Sequence, residues 1–356
     1  MEGAVPSGEP VCIEYSHLID QAHDLSTDLL RAFGRDGLGL ILIRGVPGFR
    51  AARQRLLPLA RRLSELPPAE LARLEDAASR YNIGWSHGRE ALRDGKPDTH
   101  KGSFYANPML DSVTEDTQLQ AEFPAYARPN IWPTQALPEL EPAFKECGRI
   151  IVAAGLHLAC RCDTLLAARQ REAGGEAGTG TVCPSLHDTL QTSPCHKARL
   201  LHYYAAPGGA ASDSWCAWHT DHGSLTGLCA AQYLDAGGAA VAGGGGGGVG
   251  LHIRTLHGQV VRVGIPPECL AFQLGEAAQV LSGGLFTATL HCVVGPEPGS
   301  GGSQLTRETF AVFMQPRWDE PLECAEGCEG EASVGQWRRG MTFGEFAEAT
   351  FARYYG

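Results

Sequence analysis

The second half of the chain is dominated by short apolar segments separated by turn residues. After a glycine-rich break at residues 174–180, segments of four to seven residues that favour the β conformation recur for more than one hundred residues. These candidate strands lie at residues 198–204, 216–220, 225–230, 251–255, 260–263, 270–274, 279–282, 289–294 and 309–315. Many short strands that alternate with turns are typical of β-sandwiches and jelly rolls. The pattern therefore predicts a β core for this half of the chain.

The first half of the chain predicts helices instead. Apolar residues recur at intervals of three and four in residues 18–33 and, over the longest stretch, in residues 138–172. Two further helices are expected at residues 51–65 and 67–78. Pro58 should kink or break the first of these two, because proline removes a helical hydrogen bond and clashes with the preceding turn.

Three other segments stand apart from the helices. Residues 40–43 are continuously apolar and predict a short buried strand. Residues 81–108 are rich in aromatic and polar residues without a period, so they either line a binding mouth or form a loop that aromatic side chains anchor to the surface. Residues 236–250 are almost entirely glycine and alanine and cannot bury enough apolar area to offset their loss of conformational entropy. We expect an inserted mobile loop there.

These patterns predict one mainly β fold with helical packing. A helical N-terminal region, residues 1–180, should pack on the β core at residues 181–320 without folding independently. Residues 321–356 should form a C-terminal loop followed by a helix, because their final apolar residues recur at helical spacing.

The net charge and the lengths of the apolar runs argue against two classes of partner, nucleic acids and membranes. The net charge is −11 and the pI is about 5.6, whereas a surface that follows a nucleic-acid backbone needs clustered lysine and arginine. The N-terminus has neither the basic nor the apolar part of a secretory signal, and the longest apolar run, residues 150–160, is too short to span a bilayer. We therefore expect a cytoplasmic monomer with no nucleic-acid or membrane partner.

A candidate metal site begins at His219 and Asp221. Residues two apart on a strand project to the same face, so an imidazole nitrogen and a carboxylate oxygen can point at one ion. Among the histidines that could complete the site, His291 lies on a later strand, which a jelly roll can bring close. His252 and His257 are nearer in sequence but flank a predicted turn, so we favour His291. Two histidines and one carboxylate leave coordination positions open, as in non-haem Fe(II) oxygenases.

Such an oxygenase needs an electron source, and a 2-oxo acid bound to the iron can supply it. The far carboxylate of that co-substrate requires a forked cationic donor, a task suited to arginine. Arg307 and Thr309 share one face of a predicted strand and could both donate to one carboxylate. Tyr204, on the strand before the His219 strand, could add a phenolic hydrogen bond.

The order of these residues resembles the Fe(II)- and 2-oxoglutarate-dependent dioxygenases of the isopenicillin N synthase-like branch. The resemblance covers most of the chain and rests on the following motifs: Tyr203-Tyr204, His219-x-Asp221 with Gly223-Ser224-Leu225-Thr226, His291, Arg307-x-Thr309, residues 39–45, Gly84-Trp85, Lys101-Gly102-Ser103-Phe104 and Met341-Thr342-Phe343-Gly344. The chain departs from the family pattern at three positions. His202 stands where asparagine is usual, Thr309 replaces serine, and Cys292 replaces the arginine that commonly follows the distal histidine.

The resemblance implies a fold, a site and a reaction. The fold is a double-stranded β-helix, or jelly roll, with iron on His219, Asp221 and His291. It implies 2-oxoglutarate on the three residues Arg307, Thr309 and Tyr204. The reaction is hydroxylation or desaturation of a small organic substrate, with O2 as oxidant and with ascorbate as a further candidate reductant. Substrate would enter between residues 81–107 and the C-terminal tail.

Two alternatives remain open from the residues alone. Relatives in this branch include iron oxidases that take all their electrons from substrate or from ascorbate and do not use 2-oxoglutarate. A non-catalytic relative that binds a small molecule or a protein would keep the same fold. The ratio of succinate released to O2 consumed would separate the first alternative, and the iron content of an Asp221→Ala variant would separate the second.

Overall fold

The strands of this computed structural model form two sheets. The structure describes residues 5–89, 97–172, 184–205, 215–242, 248–296 and 300–355. Its strands are β1 (Ser7–Gly8), β2 (Val11–Glu14), β3 (Leu40–Arg44), β4 (Gly84–His87), β5 (Lys101–Ala106), β6 (Lys197–Tyr203), β7 (Cys216–His219), β8 (Leu225–Cys229), β9 (Gln232–Leu234), β10 (Gly250–Arg254), β11 (Val260–Val263), β12 (Cys269–Leu274), β13 (Leu290–Val294) and β14 (Thr306–Met314). The smaller sheet has five strands in the order β1-β11-β10-β13-β7. The larger sheet has nine, in the order β2-β3-β12-β8-β14-β6-β5-β4, with β9 paired to β14.

From β6 onward the chain passes repeatedly between the two sheets. Strands β6, β8, β9, β12 and β14 belong to the larger sheet, whereas β7, β10, β11 and β13 belong to the smaller one. The alternation explains why residues that are far apart in sequence meet. Strand β13, for example, lies directly beside β7 although about seventy residues separate them.

Several of the helices pack on one face of the larger sheet. The helices are α1 (Tyr15–Ile19), α2 (Ser26–Phe33), α3 (Phe49–Ser64), α4 (Pro68–Arg73), α5 (Thr117–Glu122), α6 (Pro124–Ala127), α7 (Leu140–Glu172), α8 (Leu186–Thr192), α9 (Glu276–Leu281), α10 (Glu329–Ala332) and α11 (Phe343–Tyr355). The central element is α7, whose Phe144 ring lies edge-on to Phe310 of β14 at 4.9 Å between centroids. Gly155 of α7 is equally close to the sheet, since a Cβ there would lie 2.3 Å from the sulfur of Met314. Close-packed apolar contacts of this kind form the main core.

Helix α7 is long enough, at 33 residues, and apolar enough to cross a membrane by length and composition alone. It extends well beyond the apolar run at residues 150–160 on which the sequence-based expectation rested. The same test is passed by core helices, and 56% of the apolar window of α7 is buried inside the fold. Its packing on β8 and β14 therefore accounts for its apolar character.

The elements differ from the sequence-based predictions in four places. The segment predicted as one helix at 18–33 contains two, α1 and α2, and α3 continues through Pro58 without a break. Residues 279–282 were predicted as a strand, but α9 extends to Leu281, because a segment of only four residues has no periodicity that separates strand from helix. The unassigned segment 81–108 contains β4 and β5, whose residues pair with each other and with β6.

The N-terminal region does not form a purely helical layer on the β core, because it also contributes strands to the sheets. Strands β2 to β5 belong to the nine-stranded sheet, and β1 pairs with β11 of the other sheet. Residues 1–180 therefore supply strands to both sheets. Of the predicted glycine-rich loop at 236–250, residues 243–247 lie outside the described ranges, and Gly250 begins β10.

Candidate active site

The structure brings His219, Asp221 and His291 together. His219 is paired directly with His291 across β7 and β13, and their ring centroids are 4.3 Å apart. Asp221 Oδ1 lies 3.7 Å from His219 Nε2, and Asp221 Oδ2 lies 3.9 Å from His291 Nε2. The three candidate ligand atoms are all within 4.8 Å of one another. Two imidazoles and one carboxylate on one side of an ion match the donor set of non-haem Fe(II) sites.

Both rings are oriented by contacts at their other nitrogen. His219 Nδ1 lies 2.8 Å from the carbonyl oxygen of Ala217, and His291 Nδ1 lies 3.2 Å from that of Thr289. A proton on Nδ1 that is donated to a carbonyl leaves the Nε2 lone pair directed at the metal. The buried amide group of Gln273 also lies 2.8 Å from His291 Nδ1, and with its oxygen turned to this side it would accept a second hydrogen bond from the Nδ1 proton and limit rotation of the ring.

The carboxylate of Asp221 is held in its ionised form. Burial opposes ionisation, but the His291 and His219 rings and the Thr226 hydroxyl together keep the pKa of this carboxyl below its ordinary value. Thr226 Oγ1 donates to Asp221 Oδ2 at 2.7 Å. Burial lowers the pKa of His291 to about 4, with a further contribution from His219, which favours the neutral form that binds a metal. Burial acts on His219 in the same direction, but Cys216 and Asp221 outweigh it and raise the pKa of His219 to about 10.

The turn that carries Asp221 rests on a glycine. Glu276 N donates to Asp221 O at 2.8 Å, and Gly275 N donates to Ser224 O at 2.9 Å. A Cβ at Gly275 would lie 2.1 Å from Gly223 O and 2.9 Å from Asp221 O. The end of β12 approaches this turn so closely that position 275 requires glycine. The same contact fixes the position of Asp221 relative to the larger sheet.

The face of the nine-stranded sheet that points at these three ligands is called the inner face here. It carries Thr226 and Gln273, which touch the ligands, and also Arg307 and Thr309, which lie farther along β14. The register of β8 and β14 supports this assignment, since Thr226 is paired with Phe313, six residues after Arg307 and therefore on the same face. The opposite face packs on the helices.

Arg307 is a buried cation, and two of its nitrogens have no hydrogen-bond partner among the described residues. Only 7% of the residue is exposed, and its guanidinium lies over the rings of Tyr203 at 4.8 Å and Trp215 at 5.8 Å. Its Nε and Nη1 have no hydrogen-bond partner among the described residues. Buried unpaired donors of a cation are costly, so a carboxylate is the ligand that this side chain fits. Thr309 shares the inner face, and its hydroxyl donates to Cys229 O at 3.0 Å.

The structure does not bring Tyr204 to Arg307. The register of β6 and β14 pairs Tyr203 with Arg307, so Tyr204 projects to the opposite face. There its ring packs edge-on to His202 at 4.5 Å and beside His87 at 5.1 Å. The interaction predicted for Tyr204 therefore has to be corrected by one residue, because Tyr203 is the tyrosine that contacts the Arg307 guanidinium.

The alternative histidines lie elsewhere. His252 is paired with Cys292 and therefore faces away from the side of β13 that carries His291, and its Nδ1 lies 3.1 Å from Gly250 O. His257 is exposed and contacts Asp36 at 2.9 Å. His222, next to Asp221, packs against Phe351 with 5.1 Å between the ring centroids.

A cavity of about 350 Å³ lies beside the inner face. It is formed by the segment that precedes β4, by β4 and β5 themselves, by α6 and by α11. Its lining residues are Ala77, Arg80, Tyr81, Asn82, Ser86, Arg89, Tyr105, Pro124, Ala125, Glu348 and Phe351. Ser86 is cross-strand from Ser103, which is cross-strand from Leu201 and then Thr309, so the cavity adjoins the inner face. Residues of the 81–107 segment and of the C-terminal helix α11 both line it.

Sequence reasoning predicted the three residues that the structure brings together but missed the residues that support them. Gln273 and Thr226 touch ligands, yet neither has a distinctive sequence context, and only the strand register reveals them. Tyr203 belongs to one of the family motifs, but the face of the sheet to which it points depends on a strand pairing that the sequence does not give.

Among the comparisons with known proteins, only those with solved three-dimensional structures gave a match. No protein-family model and no curated protein matched the chain. Solved structures do match over almost the whole chain. A 2OG-Fe(II) oxygenase family protein from Caulobacter crescentus superposes with a TM-score of 0.70 at 17% identity and covers 99% of each chain.

Two further structures are similar. A full-length Neurospora crassa protein in complex with alpha-KG and thymine gives a TM-score of 0.68 at 17% identity and covers 99% of this chain and 100% of that one. The dioxygenase for auxin oxidation in rice gives a TM-score of 0.61 at 17% identity and covers 97% and 96%. The chain therefore has the overall fold of the 2OG-Fe(II) oxygenases.

Proposed function

We propose that this protein is a non-haem iron oxygenase that couples oxidative decarboxylation of 2-oxoglutarate to hydroxylation or desaturation of a small organic substrate. The observation that carries the proposal is the assembly of His219, Asp221 and His291 on a sheet whose inner face also presents the unpaired donors of Arg307. The two features fit the two parts of one cofactor system. The histidines and the carboxylate fit the metal, and the arginine fits the far carboxylate of the 2-oxo acid.

The proposal includes the finer architecture. Two sheets between which the chain passes repeatedly from β6 to β14 support a double-stranded β-helix of the isopenicillin N synthase-like type. The core at residues 181–320 would then be completed by strands from residues 1–180, and α11 in residues 321–356 would close one end. In this arrangement the ligands lie between the sheets, with Asp221 and His291 buried and the His219 side chain 30% exposed.

Each side chain has a separate task. His219, Asp221 and His291 would hold Fe(II), and Thr226, Gln273 and two backbone carbonyls keep these ligands in position. Arg307 would bind the C5 carboxylate of 2-oxoglutarate, with Thr309 beside it and Tyr203 under the guanidinium. When bound, Fe(II) with 2-oxoglutarate and O2 supplies the oxidising power for cleavage of a substrate C–H bond. Asp221, His291 and Arg307 are buried, and their removal from water strengthens these charge interactions.

The cavity beside the inner face is the proposed substrate site. At about 350 Å³ it has the size of a small-molecule pocket rather than a groove for a folded partner. A complex of a structurally similar Neurospora crassa protein with thymine supports a small organic substrate for this chain as well. We also propose that the protein acts as a monomer, which sedimentation of the purified protein would test.

Iron and 2-oxoglutarate binding test the proposal directly. The anaerobic Fe(II) protein should bind one iron and develop a visible charge-transfer band when 2-oxoglutarate is added. Asp221→Ala should lose iron, and Arg307→Ala should keep iron but lose the band. Asp36→Ala serves as the matched control, because Asp36 is an exposed surface carboxylate paired only with His257 among the described residues.

The outcomes separate the alternatives. If the Asp221→Ala variant still binds iron, the assignment of the metal site is wrong. A wild-type protein that binds iron but shows no band, and that releases no succinate while consuming O2, would point to a 2-oxoglutarate-independent oxidase. Iron-free protein that cannot be reconstituted would favour a non-catalytic role.

A further inference from the structure

The charged residues that line the cavity beside the inner face are already paired. Arg80 Nη1 lies 2.8 Å from Glu348 Oε2, and Arg89 Nη2 lies 2.7 Å from Oε2 of Glu75, which does not line the cavity. Both arginines are exposed. The buried lining residues carry no charge and are Ser86, Tyr105 and Ala125. An ion inside the cavity would therefore lose hydration without gaining an unpaired partner of opposite charge among the described residues. This wall favours an uncharged ligand.

The hydroxyl of Ser86 is available to a ligand. Ser86 lies on β4, cross-strand from Ser103, and only 5% of the residue is exposed. It lines the cavity, and its Oγ has no hydrogen-bond partner among the described residues. Buried polar groups in native proteins are almost always hydrogen-bonded, so this hydroxyl fits a polar atom of a ligand.

The side chain of Asn82 presents an acceptor to the cavity. Its Nδ2 donates to Ser79 O and to Arg80 O, both at 3.2 Å. These two carbonyls use both hydrogens of the amide and determine which end of the side chain is nitrogen. Asn82 lines the cavity, and its Oδ1 has no hydrogen-bond partner in the part of the chain that the structure describes. An N–H or O–H group of a ligand therefore fits this oxygen.

The turn that carries Asn82 is held in an unusual conformation. Arg80 and Tyr81 have positive φ angles of 55° and 58°. This left-handed conformation is costly for residues with a side chain and is found preferentially at ligand sites. Ser79 Oγ stabilises the turn by accepting from the backbone N–H groups of Asn82 and Ile83, at 3.1 Å and 3.0 Å. Tyr81 and Asn82 are therefore positioned before a ligand binds.

Aromatic rings supply the apolar part of the wall. The rings that line the cavity are those of Tyr81, Tyr105 and Phe351. The Arg89 guanidinium lies 4.7 Å from the centroid of the Tyr81 ring, and the Arg199 guanidinium lies 4.9 Å from that of Tyr105. Arg199 donates from Nε and Nη2 to Ser103 Oγ, so it is engaged within the protein and supports the Tyr105 ring. Flat rings that are backed in this way favour a planar ligand, by offset stacking or by edge-on contact.

The cavity comes close to the metal ligands at Phe351. The ring of Phe351 lies 5.1 Å from that of His222, the residue after Asp221. A ligand that packs against Phe351 is therefore one aromatic side chain away from the turn that carries Asp221. The volume of about 350 Å³ is near the lower end of the range for small-molecule pockets, roughly 300–1,000 Å³, and limits the ligand to a few rings.

From these features we propose that the substrate is an uncharged, planar aromatic or heteroaromatic compound that carries an N–H or O–H donor on its ring. The ring packs against the three aromatic side chains, the donor binds Asn82 Oδ1, and a second polar group binds the Ser86 hydroxyl. This inference rests on the proposed function and names the substrate class of the same site. Arg307 is left to the co-substrate, since its unpaired donors suit a carboxylate and it is not among the residues that line the cavity.

Binding measured without turnover tests this inference. Isothermal titration is done anaerobically on the Fe(II) protein with saturating 2-oxoglutarate, so that the co-substrate site is filled. The probes share one ring system. 2-Quinolone is planar and uncharged and has a ring N–H, which 1-methyl-2-quinolone lacks. The 4-carboxamide and the 4-carboxylate of 2-quinolone differ in charge, and octahydro-2-quinolone keeps the lactam but loses the flat aromatic ring.

Each comparison has an expected result. 2-Quinolone should bind about fivefold more tightly than 1-methyl-2-quinolone, which is the factor that one neutral hydrogen bond supplies. The 4-carboxamide should bind at least about tenfold more tightly than the 4-carboxylate, because the anion loses hydration without gaining an unpaired cation. Octahydro-2-quinolone should bind about threefold to tenfold more weakly than 2-quinolone, because it cannot stack on the aromatic wall.

Variants assign these preferences to particular residues. Asn82→Leu should abolish the preference for 2-quinolone over its N-methyl derivative. Asn82→Asp keeps an acceptor oxygen and should retain the preference, and this variant also serves if Asn82→Leu does not fold. Ser86→Ala should weaken binding of 2-quinolone about fivefold, through loss of the hydrogen bond to its carbonyl. Ser112→Ala is the matched control and should bind every probe as the wild type does, since Ser112 does not line the cavity and donates to Thr114 O at 3.0 Å.

Several results would overturn the inference. They are binding of the 4-carboxylate as tight as that of the 4-carboxamide, equal binding of 2-quinolone and its N-methyl or octahydro derivative, no binding of any probe, and an N–H preference that persists in Asn82→Leu. Each can be distinguished from failure of the proposed function, because iron content and the 2-oxoglutarate band are recorded on the same samples. Normal iron and 2-oxoglutarate binding without these preferences contradicts only the inference about the substrate.

Discussion

The hydroxyl of Thr226 fixes the carboxylate on which the metal site depends. Thr226 Oγ1 donates to Asp221 Oδ2 at 2.7 Å in a buried position. Valine at position 226 keeps the shape but leaves that oxygen without its donor. Loss of such a supporting hydrogen bond typically weakens metal binding 10- to 100-fold. We therefore expect Thr226→Val to raise the dissociation constant for Fe(II) or Mn(II) by about that factor, measured by competition with a chelating dye.

The chain offers a matched control for that substitution. Thr255 has a buried hydroxyl with no hydrogen-bond partner among the described residues. Thr255→Val makes the same chemical change away from the ligands, so metal affinity should stay at the wild-type value. If the two variants bind metal equally well, Thr226 does not position Asp221.

The two adjacent tyrosines at the end of β6 should differ in their effect on co-substrate binding. Tyr203 is buried beneath the Arg307 guanidinium, whereas Tyr204 faces the opposite side of the sheet, toward His202. A desolvated cation–π contact is worth about 2 kcal/mol, and it also holds the guanidinium in position. Tyr203→Leu should therefore weaken 2-oxoglutarate binding by roughly tenfold or more, and Tyr204→Leu should change it little. Titration of the charge-transfer band measures both, and the reverse order would restore the sequence-based assignment of Tyr204.

At the residue scale, the chemical role of a side chain is easier to predict from the sequence than the direction in which the side chain points. The ligand types and their order along the chain identified His219, Asp221 and His291, because few residue types bind iron and strands bring distant positions together. Tyr203 and Tyr204 both fit the same role by chemistry. Only the pairing of Tyr203 with Arg307 decides which side chain faces inward, since a shift of one residue reverses every side chain on a strand.

At the scale of elements, the turn after β7 depends on the start of α9. Gly275 precedes α9 and lies against the turn at Gly223, where an added Cβ would be 2.1 Å from the carbonyl oxygen. That atom belongs to the backbone and cannot rotate away. Gly275→Ala should displace Asp221, destabilise the protein by a few kcal/mol as overpacking does, and weaken metal binding.

Denaturant unfolding and metal titration of the same variant check this expectation. Gly264→Ala is the control, because no atom lies within 4 Å of a Cβ built at Gly264 and its φ is not positive. This control should leave both quantities near wild type. A Gly275→Ala protein with wild-type stability and metal affinity would show that the turn has room to move.

Element prediction succeeded where a period was long and failed where it was short. Helix α7 repeats its apolar residues over 33 positions, and only one element type fits such a repeat. The four residues 279–282 have no measurable period, and their helix is set by the tertiary position of Gly275 and Glu276 after β12. Strands β4 and β5 were missed because all ten of their residues are buried or half-buried on both faces, so polar and apolar residues do not alternate.

At the scale of the whole molecule, the two faces of the larger sheet divide stability from chemistry. The face toward α7 is apolar and close-packed, as the contact of Phe144 with Phe310 shows. The inner face carries Arg199, Arg307 and Thr226, whose polar groups would be costly in a core. Strand alternation allows one sheet to do both, because successive residues of each strand project to opposite sides.

Global stability should also fall in mild acid through a histidine that lies away from the metal ligands. His196 precedes β6 and is 4% exposed, and its Nδ1 has no hydrogen-bond partner among the described residues. Burial lowers the pKa of His196 to about 4 from the ordinary value of 6.5, although a backbone hydrogen bond with Leu190 acts in the other direction.

The sign of the effect follows from proton uptake. Between pH 6.5 and 4 the unfolded chain protonates His196 while the folded protein does not, so the free energy of unfolding decreases as the pH falls through this window. A shift of this size corresponds to about 3 kcal/mol. His196→Phe removes the proton site and keeps a ring in the core. Urea unfolding at pH 7 and pH 4 should therefore show a loss of stability about 3 kcal/mol smaller for this variant than for wild type. His257→Phe, which changes an exposed histidine, should retain the wild-type loss, and an equal loss in all three proteins would show that His196 is protonated in the folded state.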